Sequence, residues 1–166
     1  DNMEAAFKEE GYQVDRQYAN NNIGTQLSQI ENMITGGCDV LVIAPIDGNA
    51  LGPVLEKAKE ADIPVIAYDR LIMESDAVTY YATFDNYKVG QIQGQYIEEA
   101  LDLENQDGPF NIELFTGPTD DNNTYFFFDG AMDVLQPYID DGTLVVVSGQ
   151  TELAEVSTLN WSTEEA

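Results

Sequence analysis

The sequence predicts an α/β fold of doubly wound parallel sheets. Three observations carry that prediction. Runs that read as strands and runs that read as helices alternate along all 166 residues. Residues 39–44 (DVLVIA) have a continuously apolar interior, the mark of a parallel strand covered on both faces. Between such strands apolar residues recur at helical spacing, as at Ile23, Leu27, Ile30, Met33 and Ile34.

Residues 2–10 (NMEAAFKEE) place Met3, Phe7 and the Ala5-Ala6 pair on one face of a helix, and Gly11 stops it. Residues 12–18 alternate Tyr, Val and Tyr with polar residues and predict a strand. Asn20-Asn21-Asn22 is a loop able to cap the helix over 23–35, which Gly36-Gly37 ends. After the strand at 39–44, Pro45 to Gly48 turn the chain, with Asp47 as a candidate N-cap. The helix over 49–61 is expected to bury Leu51, Val54, Leu55 and Ala58. A strand follows at 64–68, where Pro64 is allowed at the first residue, and another at 78–83. Asp85-Asn86 starts a helix expected to bury Val89, Ile92, Tyr96, Ile97 and Leu101. Gly90 and Gly94 inside it are read as permitting close helix packing.

The acidic segment 102–109, with Gly108-Pro109, is the expected crossing between domains, dividing the chain into 1–105 and 106–166. The pattern then restarts with a strand at 110–115, a loop at 116–121 and a helix at 122–136. A turn at 140–142 leads to a strand at 144–147. Residues 157–162 are irregular, and 162–165 look like the start of a further helix.

Six Lys and Arg stand against 31 Asp and Glu, a formal net charge of −25. That balance opposes nucleic acid and anionic membrane surfaces, both of which require a basic face. There is no His, and Cys38 is alone. Most zinc sites, Ser-His or Cys-His catalysis and an internal disulfide are thereby removed. No apolar run reaches the roughly 18 residues of a membrane span. The sequence has no Gly-rich phosphate or dinucleotide cradle and no calcium-loop spacing, so no cofactor is expected. Asp120-Asp121 is read as solvated surface rather than a catalytic carboxylate pair.

Three loops remain, each at the carboxyl end of a predicted strand, where open α/β sheets bind ligands. Tyr68-Asp69-Arg70 places an acid and one of only two arginines after an apolar strand. Asp accepts hydrogen bonds and Arg donates from a rigid fork, a combination suited to a polyol. A surface ion pair is the competing reading. Phe84-Asp85-Asn86 is the second loop, and Thr119 to Asn123 the third. Asn122 and Asn123 carry donor and acceptor together, matching sugar hydroxyls, and either also suits a helix N-cap. Of Phe126, Phe127 and Phe128, at least one ring must leave the core face. Trp161, the single tryptophan, is a candidate to lie on a sugar's apolar face or to pack in the core.

Five segments resemble the sugar-binding proteins of ABC import systems: DVLVIAPIDGNAL, IPVIAYDRLI, ATFDNYKVG, ELFTGPTDDNN with FFFDGAMDVLQPYIDDG, and LVVVSGQTELAEVSTLNW. The resemblance is closest to the multiple-sugar-binding and xylose-binding periplasmic proteins and covers essentially the whole chain. It implies a two-lobed, type I periplasmic binding protein fold with a monosaccharide held between the lobes. It further implies ligand contacts from Asp69 and Arg70 on one lobe and from Asn122 or Asn123 on the other. Trp161 would stack on the sugar, and Phe84 would line the cleft. The resemblance implies an ABC permease as partner and an extracytoplasmic location, with a lipid anchor left open. Relatives begin with a strand that precedes the first helix here and continue well past residue 166. The expectation is therefore about half of a binding protein, itself a weak sugar binder. A sensing domain of a lac-repressor-type regulator or a membrane receptor is the alternative reading, and an enzyme is not expected.

Overall fold

In a computed structural model, which describes residues 2–164 and 166, the strands form two parallel sheets with helices packed against them. The first sheet has the order β1-β2-β3, from β1 (Leu41–Ile43), β2 (Val65–Tyr68) and β3 (Val78–Ala82). Leu41 pairs with Val65, Ile43 with Ala67, and Tyr68 with Ala82. Helix α1 (Asn2–Glu9) precedes helices α2 (Ile23–Thr35) and α3 (Gly52–Glu60), which join these strands in one core where Ile30, Leu41, Ile43, Val54, Leu55, Ala58, Val65 and Ala67 are buried. Leu51 and Leu55 are fully buried as the spacing predicts, each such side chain contributing about 2 kcal/mol of transfer free energy. Asn22 caps α2 by accepting from Thr25 N at 2.8 Å.

The second sheet pairs β4 (Phe110–Ile112) with β5 (Leu144–Val146). Helices α4 (Asn86–Leu101) and α5 (Asn122–Asp140) lie together beside it. Asp85 caps α4 by accepting from Lys88 N at 2.9 Å. The face of α4 that packs differs from the expected one. Ile92 and Tyr96 are 54% and 72% exposed, whereas Gly90 and Gly94 are buried against α5. A Cβ on Gly94 would lie 2.9 Å from Ala131 O and from Val134 Cβ, and one on Gly130 would lie 2.9 Å from Gln91 N. The two helices touch backbone to backbone, so the small-residue stripe outcompetes the larger apolar one. The close-packing role read for Gly90 and Gly94 matches this geometry.

Ile97, Leu101 and Leu103 pack with Leu135, Leu144, Phe110, Ile112, Tyr138 and Ile139 in a second core. The buried side chains thus form two cores, one drawn from residues before 83–85 and one from residues after them. In the acidic segment Asp102 closes α4 at φ +52 and Leu103 folds back into the second core.

Four further expectations change. Residues 12–18 form no strand, because no described segment pairs with them and a ladder needs a partner. The Arg16 guanidinium lies 5.1 Å over the Tyr18 ring instead, and Phe7 meets Tyr12 edge to face. Asp47 accepts from Asn49 N at 2.8 Å and caps a turn rather than α3, which starts at Gly52. Helix α5 continues through Pro137 to Asp140, its last turn held by Tyr138 and Ile139 in the core. Residues 162–164 are not helical, Glu165 lies outside the described residues, and a short helix α6 (Leu153–Val156) precedes them.

Tyr138 OH donates to Glu98 Oε1 at 2.7 Å and ties α5 to α4. That hydrogen bond first, then burial, pushes the phenol from an ordinary 10.0 up to about 12. A raised pKa stabilises the fold fully below pH 10 and loses that contribution as pH climbs to about 12. An alkaline titration followed at 295 nm should show a late tyrosine component that Tyr138→Phe removes. If Tyr138→Phe leaves that component in place, the assignment is wrong.

Candidate functional site

The carboxyl ends of β2 and β3 meet the amino end of α5. Directly after β2, Asp69 turns the chain at φ +68, a left-handed conformation that a short polar side chain tolerates. Its carbonyl oxygen receives Thr83 Oγ1 at 3.0 Å and Asn123 Nδ2 at 3.1 Å. Tyr81 OH lies 3.2 Å from that oxygen and 3.3 Å from Asn123 Oδ1, and its single proton serves one at a time. The Asp69 carboxylate is exposed and has no partner among the described residues.

Arg70 spans the two packing units. Its Nη1 donates to Ile46 O at 2.9 Å, and its Nε lies 2.9 Å from Asp121 Oδ2 in an ion pair. Nη2 takes no partner among the described residues. Asp121 is the N-cap of α5, accepting from Asn123 N at 3.0 Å through Oδ1. Its Oδ2 also accepts from Trp161 Nε1 at 3.0 Å. The expectation that Asp120-Asp121 is solvated holds for Asp120 alone, since the Asp121 side chain is only 3% exposed. A buried carboxylate survives in such a place because a guanidinium and two N–H donors compensate it.

Asn123 is buried, and its carboxamide is committed inside the protein: Oδ1 accepts from Asn86 Nδ2 at 2.8 Å while Nδ2 holds the Asp69 carbonyl. Asn122 has no side-chain partner among the described residues. It borders a cavity of about 300 Å³ with Asn49 and Met73 on one side and Thr119, Asp120 and Tyr125 on the other. A cavity of about 260 Å³ between α2 and α3, crossed by the Lys57–Glu31 pair, lies apart from these residues. Trp161 ends a 3₁₀ turn (Leu159–Trp161), is 41% exposed, and meets Phe127 edge to face at 6.0 Å. Asn160 Oδ1 accepts from Asn21 Nδ2 at 3.2 Å, a further polar link between the packing units.

The structure thus gathers Asp69, Arg70, Asn123 and Trp161 into one network and sets Asn122 at its border. Phe84 stands apart, 78% exposed and without ring contact to the others. Sequence reasoning held Asn86 and Asp121 only as members of their loops, with no role of their own, and missed Tyr81. The signal for Asp121 was present: an acid immediately before a helix that can cap it. Among the described residues no group of His, Cys, Asp and Glu is arranged to hold a metal ion, and no helix is long and apolar enough to cross a membrane.

A guanidinium, an exposed carboxylate, carboxamides and a half-exposed indole thus stand near one another where the ends of β2 and β3 meet the head of α5. The periplasmic binding protein domain matches residues 1–166, and the chain belongs to that family, with its type I fold. It is 58% identical over 160 residues to the multiple sugar-binding periplasmic protein SbpA of Azospirillum brasilense, covering 96% of this chain and 45% of that protein. It is 45% identical over 140 residues to the D-xylose-binding periplasmic protein of Escherichia coli (strain K12), covering 84% of this chain and 40% of that protein. Among solved structures it resembles an ABC transporter solute binding protein from Clostridium phytofermentans with bound β-D-glucose. The identity there is 62% and the TM-score 0.96, over 99% of this chain and 51% of the other. The chain spans about half the length of the curated relatives it matches.

Proposed function

We propose that this chain forms the greater part of one jaw and the start of the other in a monosaccharide-binding component of an ABC sugar import system. The observation that carries the reading is Arg70, which reaches from the end of β2 to Asp121 at the head of α5 and keeps Nη2 free. The ligand is an aldose of the glucose, galactose, xylose or arabinose type. The free Asp69 carboxylate accepts from its hydroxyls, and Arg70 Nη2 donates to it. Asn122 supplies a carboxamide from the second unit, and Trp161 offers a ring face. Asn123 holds the Asp69 turn through one Nδ2–H while its Oδ1 accepts from Asn86. Phe84, unpacked beside the passage from β3 to α4, supplies a second aromatic surface to the cleft. The lobe boundary falls at residues 83–85, where the two cores separate. The protein is non-enzymatic and works outside the cytoplasm, with or without a lipid anchor, delivering its sugar to permease subunits.

Support comes from sugar-binding relatives at 58% and 45% identity and from the glucose-bound structural neighbour. Calorimetric titration of the full-length protein with D-glucose, D-galactose, D-xylose and L-arabinose is expected to give saturable heat with at least one. Absence of heat with every pentose and hexose tested would sink the proposal.

A further inference from the structure

We infer that Gly117 is a positioning residue for the indole of Trp161; this rests on the sugar-binding reading above. Gly117 is buried, and its φ is not in the left-handed region. Backbone conformation therefore does not call for glycine here. Space does: a Cβ at this position would lie 2.5 Å from Trp161 Cη2 and nearer still to Cζ2 and Cε2. The six-membered ring of the indole occupies the volume that any other residue would fill.

The rest of the seat is equally defined. Ser157 Oγ donates to Gly117 O at 2.9 Å. Thr158 N and Thr158 Oγ1 both donate to Thr116 O, at 2.9 and 2.7 Å. Residues 116 and 157 form a parallel bridge. The strand end that carries Gly117 is thus tied to the segment that carries Trp161. Asp121 Oδ2 then fixes the indole Nε1 at 3.0 Å, and Phe127 closes one edge. Asn160 and Trp161 both adopt φ +55, an unfavourable backbone that the seat holds in place. The ring is gripped at its edge, its N–H and its benzo side, and the 41% of Trp161 that remains exposed is the part left for a ligand.

The test has two arms. Trp161 is the only tryptophan of this chain, so its fluorescence reports the seat directly. Gly117→Ala is expected to shift the emission to longer wavelength and raise acrylamide quenching, with far-ultraviolet circular dichroism unchanged. In the full-length protein Gly117→Ala is expected to weaken sugar binding ~10-fold or more, the scale of overpacking a rigid site. In a Trp161→Ala background the same substitution is expected to add less than about twofold, because coupled residues are non-additive. A purely structural glycine would weaken binding equally in both backgrounds, which overturns the inference. Unchanged emission and affinity in Gly117→Ala overturn it too, while leaving the sugar-binding reading intact. A wild-type protein that binds no sugar removes both.

Discussion

Replacing Arg70 with Met is expected to destabilise the protein by about 3 kcal/mol, the low end for breaking a buried ion pair. The substitution keeps the stem and removes the only cation paired with Asp121 among the described residues, whose carboxylate is 3% exposed. Two N–H donors remain, from Asn123 and Trp161, and they do not cancel the charge. The estimate stays at the low end because the Arg70 side chain is itself 24% exposed, so water shares in the pairing. For a chain of this length the midpoint should fall by about 6–12 °C in thermal unfolding. The double variant Arg70→Met with Asp121→Asn should recover part of the loss, since no unpaired charge is then buried. A shift below about 2 °C in the single variant would mean that the bridge contributes little. Sugar affinity is a separate readout: it should collapse in both variants, because the free Nη2 donor is gone from each.

Gly130→Ala is expected to cost about 3 kcal/mol, the upper range for overpacking. Its added Cβ would stand 2.9 Å from Gln91 N and closer to Tyr87 O, and backbone atoms have no rotamer by which to yield. Helices α4 and α5 would have to separate, loosening Leu135 and the other residues of the second core. Gly142→Ala is the control. Gly142 has φ +84 and open space around its Cα, so alanine there meets only the left-handed backbone penalty of about 1 kcal/mol. Urea midpoints for the two variants separate steric from conformational cost. If Gly130→Ala unfolds no earlier than Gly142→Ala, the backbone contact is not what holds this pair together.

What the sequence made legible was local. The apolar interior at 39–44, the stripe from Ile23 to Ile34 and the caps at Asn22 and Asp85 each depend on residues a few positions apart, and each appears in the structure. What it hid depends on partners distant in the chain. The alternation at 12–18 could not show that no strand lies beside it. The large apolar residues of α4 outweigh two glycines in any periodicity count, yet the glycines win because only they let α5 approach. Composition could not show which side chains share a core, as Leu103 of the acidic segment does with Leu135 and Leu144. At the candidate site, residue types were readable and their commitments were not. Asn123 was readable as a carboxamide, but its bonds to Asn86 and to the Asp69 carbonyl, 37 and 54 residues away, were not. Asp121 reads as surface until Arg70 and Trp161 arrive.

The contact of α4 with α5 also bears on mechanics. Two helices separated by side chains can slide, because side chains re-seat in new rotamers. Two helices touching through Gly90, Gly94 and Gly130 have no such slack. The pair acts as a stiff beam anchored to the second sheet. A swing of that beam relative to the first sheet would twist residues 83–85, which join β3 to α4, and would carry Asp121 with it against Arg70.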